Sequence, residues 1–146
     1  MSLKNIKVIL LLLFLTSPAI AQDKDRLVGK WLNASGEGQI MIYKKGDTYE
    51  GRLYWLKEPL DKTGKPKRDA KNPNSAYQNR PLLGIGILDD FTYSGHNVWE
   101  QGSIYDPKTG KTYSCKITMI DNNKLNIRGF VGISLLGRSE VWQRVQ

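Results

Sequence analysis

Cysteine and histidine are nearly absent from this sequence of 146 residues, which contains one of each. The single cysteine, Cys115, excludes an intramolecular disulfide, so an ordinary hydrophobic core must hold the chain together. Because Cys115 alternates with Tyr113 and Ile117, we expect its thiol to face that core and to be inert. One cysteine and one histidine in different surroundings also argue against a zinc site, and the sequence indicates neither a metal nor a cofactor.

The single histidine also weakens the case for nucleophilic catalysis. His96 lies in the segment 93–97, which is typical of an exposed turn. A Ser–His–Asp hydrolase needs its histidine against a nucleophile and an orienting carboxylate, and the segment 132–136 lacks the last glycine of a nucleophile elbow. The stretch 110–112 (Gly-Lys-Thr) matches the end of a phosphate-loop motif. Tyr105 occupies the position of the first glycine that the motif requires, so we reject this interpretation.

Carboxylates are the remaining candidates for acid–base chemistry or metal binding. Asp89 and Asp90 are adjacent, and neighbouring carboxylates can separate their pKa values for such work. Three loop aspartates could also serve in acid–base chemistry or metal binding: Asp61, Asp69 and Asp106. Most loop aspartates, however, form hydrogen bonds only with the backbone of their own turn. No catalytic set is recognisable, so the sequence favours a non-enzymatic protein, and we rank an uncharacterised hydrolase lowest.

A long hydrophobic run occurs only at the N-terminus. The apolar run Val8–Leu15 follows Lys4 and Lys7 and precedes the small-residue segment Ala19–Ala21. This order is typical of a cleavable secretory signal, and the run is too short to cross a bilayer, which needs roughly 20 residues. We expect removal of residues 1–21, no remaining transmembrane segment, and export to the periplasm or the extracellular space. Export argues against nucleic acid as a partner.

Acidic residues are outnumbered, with 14 Asp and Glu against 22 Lys and Arg and a net charge of +8. This excess is compatible with attraction to anionic envelope components such as lipid headgroups or cell-wall polymers, and with solubility alone, which is the simpler explanation. The segment Lys57–Pro81 is polar, basic, rich in proline and without periodicity. Loops longer than about 12–15 residues are usually functional or disordered. This loop could therefore dock on a cell-wall polymer or a partner protein.

Helical periodicity is missing from residues 22–146, whose length indicates one domain. Short β-branched and aromatic stretches alternate there with turn residues. Short turns such as 45–47 and 106–110 predict antiparallel pairing of consecutive strands as a meander. The pattern predicts about eight strands, near Leu27–Leu32, Gln39–Lys44, Thr48–Leu56, Gly84–Asp90, Val98–Tyr105, Thr112–Ile120, Lys124–Phe130 and Ser139–Val145.

Closure of such a meander into a barrel would remove its exposed strand edges. Gly29 and Trp31 open the first strand, and Arg144 lies in the last. This resembles the lipocalin-like (calycin) arrangement, in which an arginine of the final strand covers a tryptophan at the closed end of the barrel. The resemblance implies an all-β lipocalin-like barrel and a structural role in barrel closure for Trp31 and Arg144.

Three blocks of residues resemble a secreted bacterial family known as domain of unknown function 2147. They are Asp61–Pro66, Asp69, Asn72–Pro73 and Arg80–Gly84 in the long loop; Trp99, Gly102, Ile104–Pro107 and Gly110–Tyr113; and Leu125, Ile127–Gly132, Leu136–Arg138 and Trp142–Arg144. Asn74 and Ser139 depart from the family, which often has an acidic residue and a threonine there, and Asn74 weakens any metal site in the loop. The resemblance implies export and a small β-barrel, and no activity.

An eight-stranded barrel is either filled by its own side chains or holds one small ligand. We expect non-enzymatic binding of a small apolar or anionic ligand in the cell envelope by a monomer, in a pocket of roughly 300 Å³ or more. The inward positions should include Tyr113, Met119, Ile127 and Val141. The apolar segment Phe130–Leu136 should plug one end of the barrel, or else contact a membrane or a partner.

Arginine guanidinium groups bind carboxylates and phosphates in a fork geometry. If three arginines converge beside aromatic side chains, they form an anionic-ligand site; the alternative is that they pair with acidic residues and pin loops to the barrel rim. The candidate ligand-binding residues are Arg80, Arg128 and Arg138 with Trp55, Trp99 and Tyr105.

Overall fold

The computed structural model of the protein describes residues 23–146, and the predicted signal segment lies outside the described residues. Eight strands follow one another along the chain: β1 (Gly29–Leu32), β2 (Gly38–Lys45), β3 (Thr48–Leu56), β4 (Gly86–Gly95), β5 (Val98–Asp106), β6 (Lys111–Asp121), β7 (Lys124–Phe130) and β8 (Arg138–Arg144). Two short 3₁₀ turns, Ser75–Tyr77 and Ser134–Leu136, lie in the connections after β3 and β7.

The eight strands form a closed barrel in which each strand pairs with its neighbour in the sequence. All pairings are antiparallel, and β1 closes the barrel against β8 where Trp31 lies opposite Arg144. The predicted all-β meander and its closure are therefore confirmed. Among the described residues, no helix has the length and apolar character that crossing a membrane requires.

Period-two burial explains why these segments form strands. In β6, Cys115, Ile117 and Met119 are buried while the residues between them are half-buried or exposed. Such alternation turns one face of each strand into the barrel interior. The predicted bounds of β3 and β7 match the structure, whereas β4 continues to Gly95, beyond the predicted end at Asp90.

Three tryptophans fill much of the interior: Trp31, Trp99 and Trp142 are all buried. The prediction that Val141 faces inward was wrong. Val141 pairs with Asn126 on the outer face and is 41% exposed, while Trp142 pairs with the buried Leu125. The pairing register with β7 decides this, because a shift by one residue exchanges the two faces of a strand.

Gly102 marks the closest approach inside the barrel. A β-carbon at Gly102 would lie 2.5 Å from the ring of Phe91, which is buried. The register of β5 against β6 shifts between Trp99 and Gly102, and Gln101 takes a positive φ of 65° at this bulge. The bulge therefore turns Gly102 towards the core, where only a hydrogen leaves room for the Phe91 ring.

The two ends of the barrel differ in the length of their connections. At one end, which we call the base, β2–β3, β4–β5 and β6–β7 are joined by two-residue turns. At the other end, which we call the mouth, the connections are 33–37, 57–85, 107–110 and 131–137. Binding residues are commonly found on the longer loops that a rigid scaffold presents, so we expect a binding site at the mouth.

Candidate functional site

The base of the barrel is sealed by Arg144 and Trp31. The Arg144 guanidinium lies 4.2 Å above the Trp31 ring, so the stacking that the calycin resemblance implies is present. The same guanidinium donates hydrogen bonds to the backbone carbonyls of Asn122, Val28 and Arg26 at 2.7, 3.2 and 2.6 Å. Trp31 also donates to the carbonyl of Leu27 over 2.9 Å, so packing and capping contacts hold this end of the barrel together.

The turn of residues 23–28 completes the seal. Arg26 donates to the side-chain oxygens of Asn97 and Asn122, one in each of two base turns. The Trp99 indole donates to the carbonyl of Lys24 over 3.1 Å, and the Tyr49 hydroxyl donates to Asp25. Trp99 is thus a structural residue of the base, far from the loops of the mouth.

The inner wall near the mouth is less filled than the base. Arg138 pairs with Gly129 and Glu140 with the inward-facing Ile127, so the register places these two charged residues of β8 on the inner face. Glu140 and Arg138 are exposed despite this inward register. A β-carbon at Gly129 would lie 3.6 Å from Ile104 and 3.7 Å from Tyr113, which are ordinary van der Waals distances. The glycine therefore leaves room for at least a methyl group beside them, and we call this space the hollow at Gly129.

Glu140 sits between this hollow and the core. Its carboxylate accepts a hydrogen bond from the Trp142 indole over 2.5 Å. Burial, followed by the negative charge of Glu140, raises the pKa of the Cys115 thiol to about 12. Cys115 is 1% exposed, so the thiol stays protonated and inert, as predicted.

The long loop is organised around one buried carboxylate. Asp69 has no exposed surface, and it accepts hydrogen bonds from the Tyr105 hydroxyl over 2.5 Å and from Arg80 at 3.1 and 3.0 Å. Asn72 adds a side-chain bond to Asp69 over 2.8 Å. Burial and then the hydrogen bond to Asp69 raise the pKa of Tyr105 to about 12. A buried charge needs such partners, so this set fixes the loop on β5.

Two further contacts connect the long loop with the neighbouring mouth connections. A β-carbon at Gly110 would lie 1.9 Å from the carbonyl oxygen of Lys71, so the β5–β6 turn packs directly on the loop backbone. Lys108 of that turn forms an ion pair of 2.5 Å with Glu37 in the β1–β2 connection. Three of the four mouth connections are therefore held together.

The candidate ligand-binding residues do not form one cluster. Arg80 and Tyr105 both donate hydrogen bonds to Asp69. Arg80 therefore follows the alternative interpretation, in which an arginine pairs with an acidic residue and pins a loop to the barrel rim. Arg128 faces outward and donates to Ser139 Oγ over 2.9 Å and to the carbonyl of Leu135 over 3.3 Å. Arg138 lies on the inner face at the mouth. The other two are apart from these: Trp55 is 37% exposed on the outer face of β3, and Trp99 lies at the base.

The candidate carboxylates have separate structural surroundings. Asp61 accepts bonds from Thr63 and Lys65 within its own turn, and these bonds lower its pKa. Asp106 accepts a hydrogen bond from the backbone N–H of Lys108 in the β5–β6 turn over 3.0 Å. Asp89 interacts with Glu50 of β3, and burial together with that neighbouring carboxyl raises the pKa of Asp89. No group of three or more metal-ligating side chains suited to a metal ion occurs within residues 23–146.

The histidine also has a structural position. His96 and Asn97 form the β4–β5 turn with positive φ values of 53° and 61°, and His96 is exposed. Two successive residues with left-handed backbone conformation form a tight hairpin turn. His96 is therefore the turn residue that the sequence predicts.

A groove of about 420 Å³ lies on the outer wall, between the β5 bulge and the end of β7. Its lining residues include Gln101, Ser114, Lys116 and Phe130. Ser114 pairs with Phe130 and Lys116 with Arg128, so these side chains share the outer face of β6 and β7. The groove exceeds the expected pocket volume, but it opens outside the barrel and not into its interior.

Sequence reasoning missed Glu140 and the hollow at Gly129. A signal for Glu140 was present: Trp142, Glu140 and Arg138 alternate along β8 and so share one face. The inward assignment of Val141 concealed this alternation. The hollow at Gly129 needs the register with β6, which the sequence does not provide.

Comparison with known proteins agrees with this architecture. Among curated proteins, none matches the chain. The solved structure entitled "Protein HP1028 from the human pathogen Helicobacter pylori belongs to the lipocalin family" is similar, with a TM-score of 0.70, 21% sequence identity, and coverage of 82% of this chain and 83% of that chain. This likeness shows a lipocalin-like fold. The bacterial family described as "Uncharacterized protein conserved in bacteria (DUF2147)" matches residues 29–144, and the chain belongs to it.

Proposed function

We propose that this protein binds a small amphiphilic ligand, with an apolar body and an acidic head group, at the mouth of its barrel and without catalysis. The observation that carries the proposal is the position of Arg138, which the register puts on the inner face at the mouth. Arg138 is exposed and forms no ion pair with any described residue. An inward-facing guanidinium without a carboxylate partner suits an anionic ligand.

Apolar side chains next to Arg138 would receive the body of the ligand. Ile104 and Tyr113 pair with each other on the inner wall, and both are only half-buried. Gly129 keeps the wall open between them and Arg138. Because the tryptophans fill the base, the ligand would lie in the upper part of the barrel, as in a shallow cup.

The test is a fluorescence titration with dansyl-undecanoic acid and with the matching alcohol, which lacks the acidic head. The protein beginning at Gln22 contains all eight strands and is suitable for the titration. We expect Arg138→Gln to weaken binding of the acid at least tenfold, because it removes a charge-assisted hydrogen bond. Binding of the alcohol should change little.

Gly129→Leu should abolish binding of both probes by filling the hollow, since a β-carbon there meets only ordinary van der Waals contacts. Lys124→Gln at the base is the matched charge control, because Lys124 is exposed at the other end of the barrel. Equal affinity of wild type, Arg138→Gln and Gly129→Leu for the acid would contradict a site at the mouth.

We also propose that the protein is exported and acts in the periplasm or outside the cell. The supporting observations are the signal-like order of Lys4, Lys7, Val8–Leu15 and Ala19–Ala21. Fractionation of cells and mass spectrometry of the N-terminus test this. A mature chain that begins at Gln22 in the envelope or medium supports export, and an intact Met1 in the cytoplasm contradicts it.

A second candidate function is docking of the long loop on an anionic cell-wall polymer. Four lysines of the loop are exposed and form no ion pair with any described residue: Lys57, Lys62, Lys65 and Lys71. Replacing all four by glutamine should release the protein from isolated cell walls while Arg138→Gln does not. Retention of the fourfold variant would rule out this docking.

A further inference from the structure

The connection between β7 and β8 presents an unusual concentration of exposed aliphatic side chains. The side chains of Val131, Ile133, Leu135 and Leu136 are 72, 59, 83 and 77% exposed. They were expected to plug one barrel end, but this exposure shows that they do not. Single exposed hydrophobic residues are normal, whereas a contiguous set indicates a contact surface. We call residues 131–136 the apolar loop.

The barrel holds the apolar loop in place at its root. Arg128 donates to the carbonyl of Leu135 over 3.3 Å and to Ser139 Oγ over 2.9 Å, which ties the loop to β7 and β8. A β-carbon at Gly137 would lie 2.6 Å from the carbonyl oxygen of Gly129, so the chain leaves the loop in close contact with β7. The loop is thus presented on the outer rim of the mouth by a fixed support.

Cationic side chains surround the loop. Lys116 lies directly opposite Arg128 on the outer face of the barrel. Two like charges in opposite positions of an antiparallel pair are destabilising, and Lys116 has no ion pair among the described residues. Lys111 and Arg138 add positive charge at the neighbouring strand ends. The acidic residues nearby are Glu100, which lines the same groove as Lys116, Glu140 on the inner wall, and Asp106, which lies opposite Lys111.

We infer that the apolar loop and its basic surroundings form a binding surface for an anionic lipid bilayer. Aliphatic side chains that enter the acyl boundary and cations that remain among the headgroups are the two components of peripheral membrane binding. The excess of cations beside the loop favours an anionic bilayer over a second copy of this chain, which would bring the same positive charges into contact. Residues 23–146 carry 20 Lys and Arg against 14 Asp and Glu, so their overall charge has the right sign.

The test is flotation of the protein beginning at Gln22 with vesicles of phosphatidylglycerol and phosphatidylcholine in equal parts. The double variant Leu135→Ser, Leu136→Ser should reduce the partition coefficient at least tenfold, because two side chains no longer enter the acyl region. Ile120→Ser is the matched control, since Ile120 is an exposed aliphatic residue, at 55%, near the base. It should bind as the wild type does.

The charge component is tested separately with Lys111→Gln, Lys116→Gln and their double variant. Each removed charge should weaken binding about fivefold at low salt, and the effect should nearly vanish at about 0.5 M salt. Lys124→Gln at the base should have no such effect. Pure phosphatidylcholine vesicles should bind the wild type much more weakly than the anionic vesicles.

Several results would overturn the inference. Wild-type protein that does not float with anionic vesicles excludes the bilayer as the partner, and unchanged flotation of the loop variant excludes the loop as the contact. If light scattering shows a dimer that Leu135→Ser, Leu136→Ser converts to a monomer, and no flotation occurs, the loop binds a second copy of the chain. None of these variants alters Arg138 or Gly129, so failure of membrane binding remains distinguishable from failure of ligand binding.

Discussion

Tyr105 donates its phenolic hydrogen to Asp69 over 2.5 Å, and this bond joins the wall of the barrel to its longest loop. Asp69 lies in the loop 57–85, whereas Tyr105 is the penultimate residue of β5. Residues that mark the family by sequence therefore meet here in a structural role. The motif of the long loop builds the rim of the mouth, and the ligand site that we propose lies inside that rim.

The first prediction concerns the variant Tyr105→Phe. The phenyl ring keeps the packing, but the fully buried Asp69 carboxylate loses one of its donors. Hydrogen bonds to charged groups contribute about 1.5–3 kcal/mol, so we expect the free energy of unfolding in urea to fall by about 2 kcal/mol. Amide hydrogen exchange should accelerate more in residues 57–85 than in the strands when Tyr105→Phe is compared with the wild type.

Tyr77→Phe is the matched control for this experiment. Tyr77 also lies beside Arg80, whose guanidinium is 4.5 Å from its ring, but its side chain is 47% exposed. The stability of this control should stay within about 0.5 kcal/mol of the wild type. Equal stability of Tyr105→Phe and Tyr77→Phe would show that Asp69 does not organise the loop.

The second prediction compares two glycines at exposed and buried positions. In Gly102→Ala the new methyl would lie 2.5 Å from the Phe91 ring, while Gly86→Ala meets no atom within 4 Å. Overpacking of a core costs about 1–3 kcal/mol. We expect Gly102→Ala to lower the melting temperature clearly and Gly86→Ala to change it little or raise it slightly.

The cause of the loss at Gly102 can be verified with a second substitution. Phe91→Leu in the Gly102→Ala background removes the ring that the methyl contacts, so the double variant should be more stable than the sum of the single effects indicates. Additive effects would mean that the bulge geometry, and not the Phe91 ring, makes Gly102 necessary.

Much of the fold follows from the sequence because its signals are local. Turn residues such as Gly46 and Asp47 and the period-two pattern of β6 predict strands and pairing without knowledge of the rest of the chain. The prediction for β4 ended too early, at Asp90. In the structure, Asp90 occupies a bulge with a φ of 65° and the strand continues.

The site was less predictable because it depends on register between distant segments. Alternate residues of β8 face the interior, and the register with β7 decides whether Arg138 and Glu140 are among them. Only the pairing of Leu125 with Trp142 fixes this register. Convergence of Arg80 and Tyr105 on Asp69 likewise joins segments that are 36 residues apart in the sequence. No local pattern contains such information.

The third prediction is a pH dependence from Asp89. Burial and then the neighbouring Glu50 raise the pKa of Asp89 above its ordinary value of 3.8. A carboxyl whose pKa is raised on folding contributes stability below its unfolded pKa, and the contribution is lost as the pH rises through the folded pKa. Removing the negative charge of Asp89 should therefore stabilise the folded state at neutral pH.

We expect Asp89→Asn to be more stable than the wild type by about 0.5 kcal/mol at pH 7, the size typical of surface charge pairs. The advantage should shrink towards pH 3, where Asp89 of the wild type is protonated. Urea denaturation across this pH range measures it. Asp47→Asn in the exposed β2–β3 turn is the control for the loss of a carboxylate at a position that is exposed to solvent. A constant difference for Asp89→Asn would exclude the interaction with Glu50.

The fourth prediction concerns closure of the base through Arg144→Lys. Lysine keeps the positive charge, but it cannot stack a planar group on Trp31 while donating to three backbone carbonyls. The stacking contributes about 0.5–2 kcal/mol, and the lost hydrogen bonds add to this cost. We expect the free energy of unfolding to fall by about 2 kcal/mol.

Arg138→Lys is the control for Arg144→Lys, because it makes the same chemical change at the mouth. Arg138 is exposed and forms no ion pair among residues 23–146, so this variant should unfold at the wild-type urea concentration. Hydrogen exchange should localise the effect of Arg144→Lys to β1 and β8, whose pairing comprises two residue pairs. If both variants are as stable as the wild type, packing of Trp31 alone closes the barrel, and the arginine is dispensable for the fold.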